Sequence, residues 1–394
     1  MFYALSLIAS VTALDRLRMS ELKNPISLAS VGNTGEQSIE EVSSFYALTL
    51  PIGTPTQIIS MSLCMGECKV IMVPSVNDLV SPTTTFYNET ASSTYKAVSQ
   101  GEKYYSLNGT MSTDVIRFGK IEITDQSFFL TNISSTKNFD RGILSLSLSK
   151  DSNTSFLNRI KSSNLAKYNT FAFDLVEKEM IIGEKEFNDY INHTTVTFSL
   201  DMEKFAGNFT SLTVGNNSIS LNQEAQFFIQ KDVIKGPTSE VDKLRNLLTS
   251  GKNCTDYVCD CNILLDGYQP IYFTVDNATF NIQPKNFIKF KDNKCTLNIE
   301  ASSQRYWTLG KPVFVEYFTL FDLDASTLSL IHYYDKTGKG DIVEEIKDQT
   351  EDFFDRIWSS WTLTIAAAVV VIIAIVVAYC CCCRKTDAYD YGGI

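Results

Sequence analysis

The sequence predicts an all-β domain of two similar lobes, set between a cleaved leader and a single C-terminal apolar span. Three observations carry this reading. Between residues 45 and 333, short β-branched and aromatic segments alternate with Gly, Asn, Ser and Asp turns, which is the punctuation of strands. Within that region Cys64-Met65-Gly66 and Val73-Pro74-Ser75 are followed by Gly142-Ile143-Leu144. Phe228-Ile229-Gln230 and Gly236-Pro237-Thr238-Ser239 are followed in the same way by Trp307-Thr308-Leu309-Gly310, a weak duplication that predicts two related lobes. Near the C-terminus, an uncharged apolar run is long enough to cross a bilayer.

Composition agrees with a large folded core. Apolar residues make up 44% of the 394 positions and aromatics 12%, far too rich for a disordered chain. Lys plus Arg number 34 against 45 Asp plus Glu, a net charge of −11, which argues against a nucleic-acid partner. There are only two histidines, His193 and His332, so multi-His metal sites are disfavoured and neither a metal nor a cofactor is expected.

Taken in order, residues 1–13 (MFYALSLIASVTA) form an apolar run ending in small residues, as a signal peptide does. Residues 14–40 stand where a short propeptide would, although LDRLRMSELKNP carries little net charge. An N-terminal β lobe is expected over 41–175, with strands near 45–50, 121–124 and 171–175 and a helix near 155–165. A C-terminal β lobe over 176–334 follows, with a strand at 271–275 and a helix at 239–248 capped by Thr238 or Ser239. Residues 335–357 turn charged and read as a juxtamembrane stalk. Residues 358–383 are read as a membrane helix, with Trp358 and Trp361 at one interface and Arg384-Lys385 at the cytoplasmic one. The tail 384–394 then lies inside, giving a type I protein of the cell surface or of secretory or endolysosomal membranes. A GPI signal would end in its apolar stretch, whereas RKTDAYDYGGI follows this one.

The ten cysteines separate by position. Cys380, Cys381, Cys382 and Cys383 adjoin the cytoplasmic edge of the span and are candidates for palmitoylation. Cys64, Cys68, Cys254, Cys259, Cys261 and Cys295 precede it, and an even count in an oxidising compartment predicts three disulfides in preference to a zinc site. Nine Asn-x-Ser/Thr sequons, at Asn88, Asn108, Asn132, Asn153, Asn192, Asn208, Asn216, Asn253 and Asn277, also all precede the span, which predicts a glycoprotein.

The β region resembles the pepsin-like aspartic peptidases. Phe45 to Gln57 (FYALTLPIGTPTQ) is similar to the family's first strand and its Ile-Gly-Thr-Pro-x-Gln turn. Val73-Pro74-Ser75, Ser92-Ser93-Thr94-Tyr95, Arg141-Gly142-Ile143-Leu144-Ser145-Leu146, Gly236-Pro237-Thr238-Ser239 and the segment 307–322 (WTLGKPVFVEYFTLFD) follow in the family's order. The resemblance implies a bilobal acid-protease fold. It also implies that Cys261 pairs with Cys295; Cys254 with Cys259 and Cys64 with Cys68 are then the simplest local pairings among three connectivities.

The resemblance further implies two facing carboxylates that share a proton, each on an Asp-Thr-Gly loop where Thr locks the loops together and Gly permits the turn. This sequence departs from that pattern. Cys64 and Met65 stand at the first Asp and Thr positions, with Gly66 retained, and Phe228-Ile229-Gln230 stands where the second Asp-Thr-Gly belongs. Glu67 and Asp232 are the nearest acids, three and four residues beyond the lost positions, too far along the turn for direct proton transfer at the old site. Tyr105 stands at the place of the family's flap tyrosine, Asn108 puts a sequon on the same flap, and Met72 replaces the Trp before Val-Pro-Ser.

The expected function is therefore a membrane-anchored peptidase A1-like glycoprotein that has lost catalysis and binds a peptide or protein in or near the old cleft. The alternative is an active aspartic endopeptidase of the secretory or endolysosomal pathway or the cell surface. A structural coat protein is a third class, favoured by high abundance and the lack of a cleft ligand.

Overall fold

The computed structural model describes residues 15–18, 20–22, 45–75, 86–104, 107–131, 142–148, 154–184 and 194–333, with the backbone alone at 15–22 and 45. Outside the described residues lie the leader, most of 14–40, Tyr105, Asn132, Asn153, Asn192, the stalk, the apolar span with Cys380 to Cys383, and the tail. Among the described residues no helix is long and apolar enough to cross a membrane.

Each half of the chain builds a twisted sheet around the same motif. In the first half the strand Gln57–Cys64 runs parallel to Gly142–Ser145, which is antiparallel to Met72–Pro74 at Ile143–Met72. In the second, Asn217–Phe227 runs parallel to Trp307–Leu309, which is antiparallel to Ile234–Pro237 at Thr308–Lys235. Parallel neighbours so close in space need long crossovers. The chain supplies them through antiparallel strands, Lys96–Tyr104, Leu107–Phe118 and Ile121–Thr131 in the first half and Ile271–Val275 and Ala278–Ile282 in the second, where Ile299–Ser302 then pairs parallel to Ile234–Pro237. The two motifs sit in sheets of eight and seven strands.

A third, six-stranded sheet is shared by both halves. It is made of Asp15–Arg18, Glu179–Ile182, Thr170–Asp174, Tyr317–Asp322, Thr327–His332 and Thr195–Ser199, in that order. The boundary expected at 175/176 falls inside the hairpin between Thr170–Asp174 and Glu179–Ile182 of this sheet. Its apolar face stacks Phe171 on Phe321 at 4.6 Å, with Phe173 and Phe205 edge-on, geometry that aromatic quadrupoles favour. Residues 15–18 and 20–22 add strands to two different sheets, pairing with Glu179–Ile182 and Phe45–Ile52.

The two expected helices form as Phe156–Ser162 and Thr238–Thr249. Ser155 caps the first by accepting the Asn158 N–H, while Phe156, Leu157 and Ile160 are buried at helical spacing. The capping expectation for the second helix is corrected: Pro237 is the N-cap and makes no side-chain bond. The Thr238 hydroxyl instead donates to the Ser302 carbonyl, and Ser239 to Glu240, because the preceding strand Ile234–Pro237 runs directly into the helix and leaves Thr238 already helical.

A small four-stranded sheet, Cys254–Thr255, Val258–Asp260, Lys294–Leu297 and Ile288–Lys291, was not legible as such in the sequence. Two disulfides hold it: Cys254–Cys259 closes a hairpin and Cys261–Cys295 joins positions 34 apart. Loop closure entropy makes the longer bridge worth about 4 kcal/mol against about 2 for the shorter. The Cys261→Ala/Cys295→Ala pair is therefore expected to lower the denaturation midpoint more than Cys254→Ala/Cys259→Ala, and equal losses in parallel unfolding curves would refute this.

Candidate functional site

The site is built where the two repeated motifs meet. Ile143 lies opposite both Ser62 and Met72, and Thr308 lies opposite both Gln226 and Lys235. Two residues on from Ser62 and Gln226, Cys64 and Phe228 therefore occupy equivalent positions at the ends of their strands. The equivalence also superposes Pro74 on Pro237. From Cys64 to Pro74 is ten positions and from Phe228 to Pro237 nine, so the first loop is one residue longer.

That loop is folded tightly. The Cys64–Cys68 disulfide closes it, Glu67 N–H donates to the Met65 carbonyl at 2.6 Å, and the Ser145 hydroxyl donates to the Cys68 carbonyl. Gly66 holds a φ of +67°, and a Cβ there would lie 2.4 Å from the Phe228 ring. Glycine is thus required twice, for the backbone conformation and for the ring resting on it. The second loop is anchored from below: the Lys231 carbonyl accepts the Lys311 N–H at 2.6 Å, and Gly310 packs so close that a Cβ would lie 2.0 Å from that carbonyl oxygen.

Three contacts join the loops. Gln230 clasps the Met65 backbone with both ends of its amide, accepting from the N–H at 3.1 Å and donating to the carbonyl at 2.7 Å. Its nitrogen also lies 3.7 Å from Cys64 Sγ. Phe228 covers Gly66, and Lys231 pairs with Glu67 at 2.8 Å. Cys64, Met65, Cys68, Phe228, Ile229 and Gln230 are all buried, so the junction is largely apolar, with its polar groups hydrogen-bonded to one another.

The chemistry open to this arrangement is narrow. Cys64 is in a disulfide and presents no thiolate. Glu67 is engaged by Lys231, and Asp232, with a side chain only 10% exposed, is 3.5 Å from Lys289. A Lys-paired carboxylate is a poor partner for sharing a proton with another. Tyr306 lies within electrostatic reach of Glu67, and burial first and then the Glu67 and Glu224 carboxylates raise its phenol pKa. Among the described residues no three His, Cys, Asp or Glu side chains converge as metal ligands.

The remaining predicted positions lie apart. Met72 is buried beside Phe129 and Ile143. Asn108, Asn208, Asn216, Asn253 and Asn277 are exposed, Asn253 donating to Asp260 at 2.7 Å. Asn88 is half buried and caps the short turn Glu89–Ala91 through its side-chain oxygen. Sequence reasoning passed over Gln230 as a ligand of the other loop and Asp114 entirely. The first signal lay only in a long polar side chain where glycine was expected.

The region 45–332 matches the family model for the eukaryotic aspartyl protease. The chain belongs to that family. It is 24% identical over 312 residues to pepsin II-1 of Oryctolagus cuniculus, covering 70% of this chain and 78% of that protein. Pepsin A of Bos taurus is 24% identical over 312 residues (72% and 83%), and pepsin A of Sus scrofa 23% over 326 (73% and 81%). The duplicated motif, the shared six-stranded sheet and the Cys261–Cys295 bridge are thus the framework of a pepsin-like aspartyl protease domain. Within this family member, the two loops at its centre are joined by Gln230, Phe228 and Lys231.

Proposed function

We propose that this aspartyl protease homologue does not hydrolyse peptides and acts by binding a peptide or protein at or beside the inherited cleft, as a glycosylated type I membrane protein. The reading rests on one observation above others. At the paired positions Cys64 and Phe228, where the family's chemistry requires carboxylates, there is a disulfide sulfur and an aromatic ring. General acid-base catalysis on a bound water needs a carboxylate within about 3 Å of the transferred proton. The nearby acids, Glu67 and Asp232, are each held by a lysine. Fold alone does not carry activity across. The membrane and glycan parts rest on the apolar run at 363–379 and on sequons confined to the chain before it.

The test is cleavage of a mixed peptide library by the full chain in detergent from about pH 3 to 7, with and without a statine-type inhibitor. No inhibitor-sensitive cleavage is expected, and Glu67→Gln/Asp232→Asn is expected to change nothing. Cleavage that the inhibitor blocks and the double variant lacks would instead establish an active aspartic endopeptidase with displaced acids.

A further inference from the structure

We propose that His332 and Glu316 form a proton-operated clamp on the last strand of the β domain, closed in acidic surroundings and loosened at neutral pH. His332 ends the strand Thr327–His332, beyond which the chain runs into the charged segment and the apolar run. Its ring nitrogens face two oxygens that only accept. Nε2 is 3.2 Å from Glu316 Oε1, and Nδ1 is 3.2 Å from the Tyr333 carbonyl. A neutral imidazole has one N–H and leaves the other nitrogen's lone pair against an oxygen, whereas imidazolium donates to both.

The rest of the setting fixes Glu316 as the acceptor. Its side chain is 5% exposed, and its second oxygen accepts from the Gln283 backbone N–H at 3.2 Å and from the Asn286 amide. Groups around the imidazole come from several elements. Tyr317, its cross-strand partner, presents its ring edge-on at 5.2 Å, Lys285 comes from the helix Pro284–Phe287, whose Asn286 binds Glu316, and the Tyr333 carbonyl comes from its own chain end. The bond to Glu316 outweighs burial and the Lys285 charge, so the histidine's pKa is raised above its ordinary value. A group whose pKa rises on folding stabilises the fold fully below its unfolded pKa, about 6.5, and that contribution fades as pH climbs through the folded value.

The clamp acts where the strand end is already stitched. The His332 N–H donates to the Thr194 carbonyl at 3.1 Å, and the next residue, Tyr333, donates its hydroxyl to Asp174 and accepts the Leu175 N–H. Loss of the imidazolium proton removes one of the ring's two bonds from this stitch and leaves the bonds to Thr194, Asp174 and Leu175 in place.

The full chain in detergent micelles tests this with two readouts. With only two histidines, selective ring labelling and His332→Gln assign the His332 resonance, which is expected to titrate above free imidazole. Amide exchange in 327–332, corrected for intrinsic rates, is expected to show more protection at about pH 5.5 than at about pH 7.5, and that difference is expected to vanish in His332→Gln, which keeps one donor to Glu316 without titrating. Titration at or below free imidazole, or an unchanged pH response in His332→Gln, would overturn the proposal.

Discussion

Replacing Asp114 with Ala is expected to lower the stability of the domain by about 4 kcal/mol, as read from the midpoint of urea unfolding at unchanged slope. Asp114 is buried in the strand Leu107–Phe118, and four donors converge on it. Tyr87 and Ser92 donate to one oxygen, the latter at 2.7 Å, and Thr94 and the Val115 N–H donate to the other, the backbone bond at 2.7 Å. Ser92 in turn accepts the Thr54 N–H at 3.0 Å, and Gly53, at φ +84°, has no room for a Cβ beside the Ser92 hydroxyl. One carboxylate thus ties the turn after Phe45–Ile52, the segment 87–95 and the strand Leu107–Phe118. Its removal strands buried donors at a cost of about 1–3 kcal/mol each, less whatever water can reach. Tyr87→Phe deletes a single donor and should cost about 1 kcal/mol. Burial, then the bond to Asp114, raises the Tyr87 pKa far above the free phenol, so this contribution is full below about pH 10 and fades as the unfolded chain ionises above it. Asp114→Ala within about 1 kcal/mol of wild type would show that the cluster is not the lock described.

The same cluster shows how far the sequence could be read. Ser92-Ser93-Thr94-Tyr95 stood out as a family motif, yet its purpose depends on Asp114, twenty residues from Thr94, which had no local mark. The lobes were legible because each carries a Pro-containing segment followed at a similar distance by a Leu-containing one, and the strands because β-branched and aromatic residues recur between turn residues. Residues 15–22 did not read as strands: Asp15-Arg16-Leu17-Arg18 has one apolar residue in four, and its pairing with 179–182 is a property of the partner's exposed edge. The clasp was invisible for a different reason. Gln230 and Met65 are 165 positions apart, and no periodicity encodes such a contact.

That clasp also decides the outcome of trying to restore catalysis. The variant Cys64→Asp/Phe228→Asp is expected to show no statine-sensitive cleavage and to be destabilised by 5 kcal/mol or more, on the order of a whole domain's margin. Phe228 is 3% exposed and its ring fills the space over Gly66, so its loss opens a cavity worth about 3–5 kcal/mol. Cys64→Asp breaks the short disulfide, about 2 kcal/mol, and leaves Cys68 a free buried thiol. Two carboxylates in so apolar a setting would stay protonated or push the loops apart. Gln230 would still grip the Met65 backbone where the family's pattern places glycine and threonine, leaving a substrate water no access between the acids. Adding Met65→Thr and Gln230→Gly removes that obstruction but also the clasp itself. The steps toward a peptidase therefore dismantle the disulfide that shapes the first loop and the Phe228 and Gln230 contacts that join the two loops. Inhibitor-sensitive turnover from the double variant alone would show that the junction is more open than its packing requires, and the binding role proposed for the protein would have to be reconsidered.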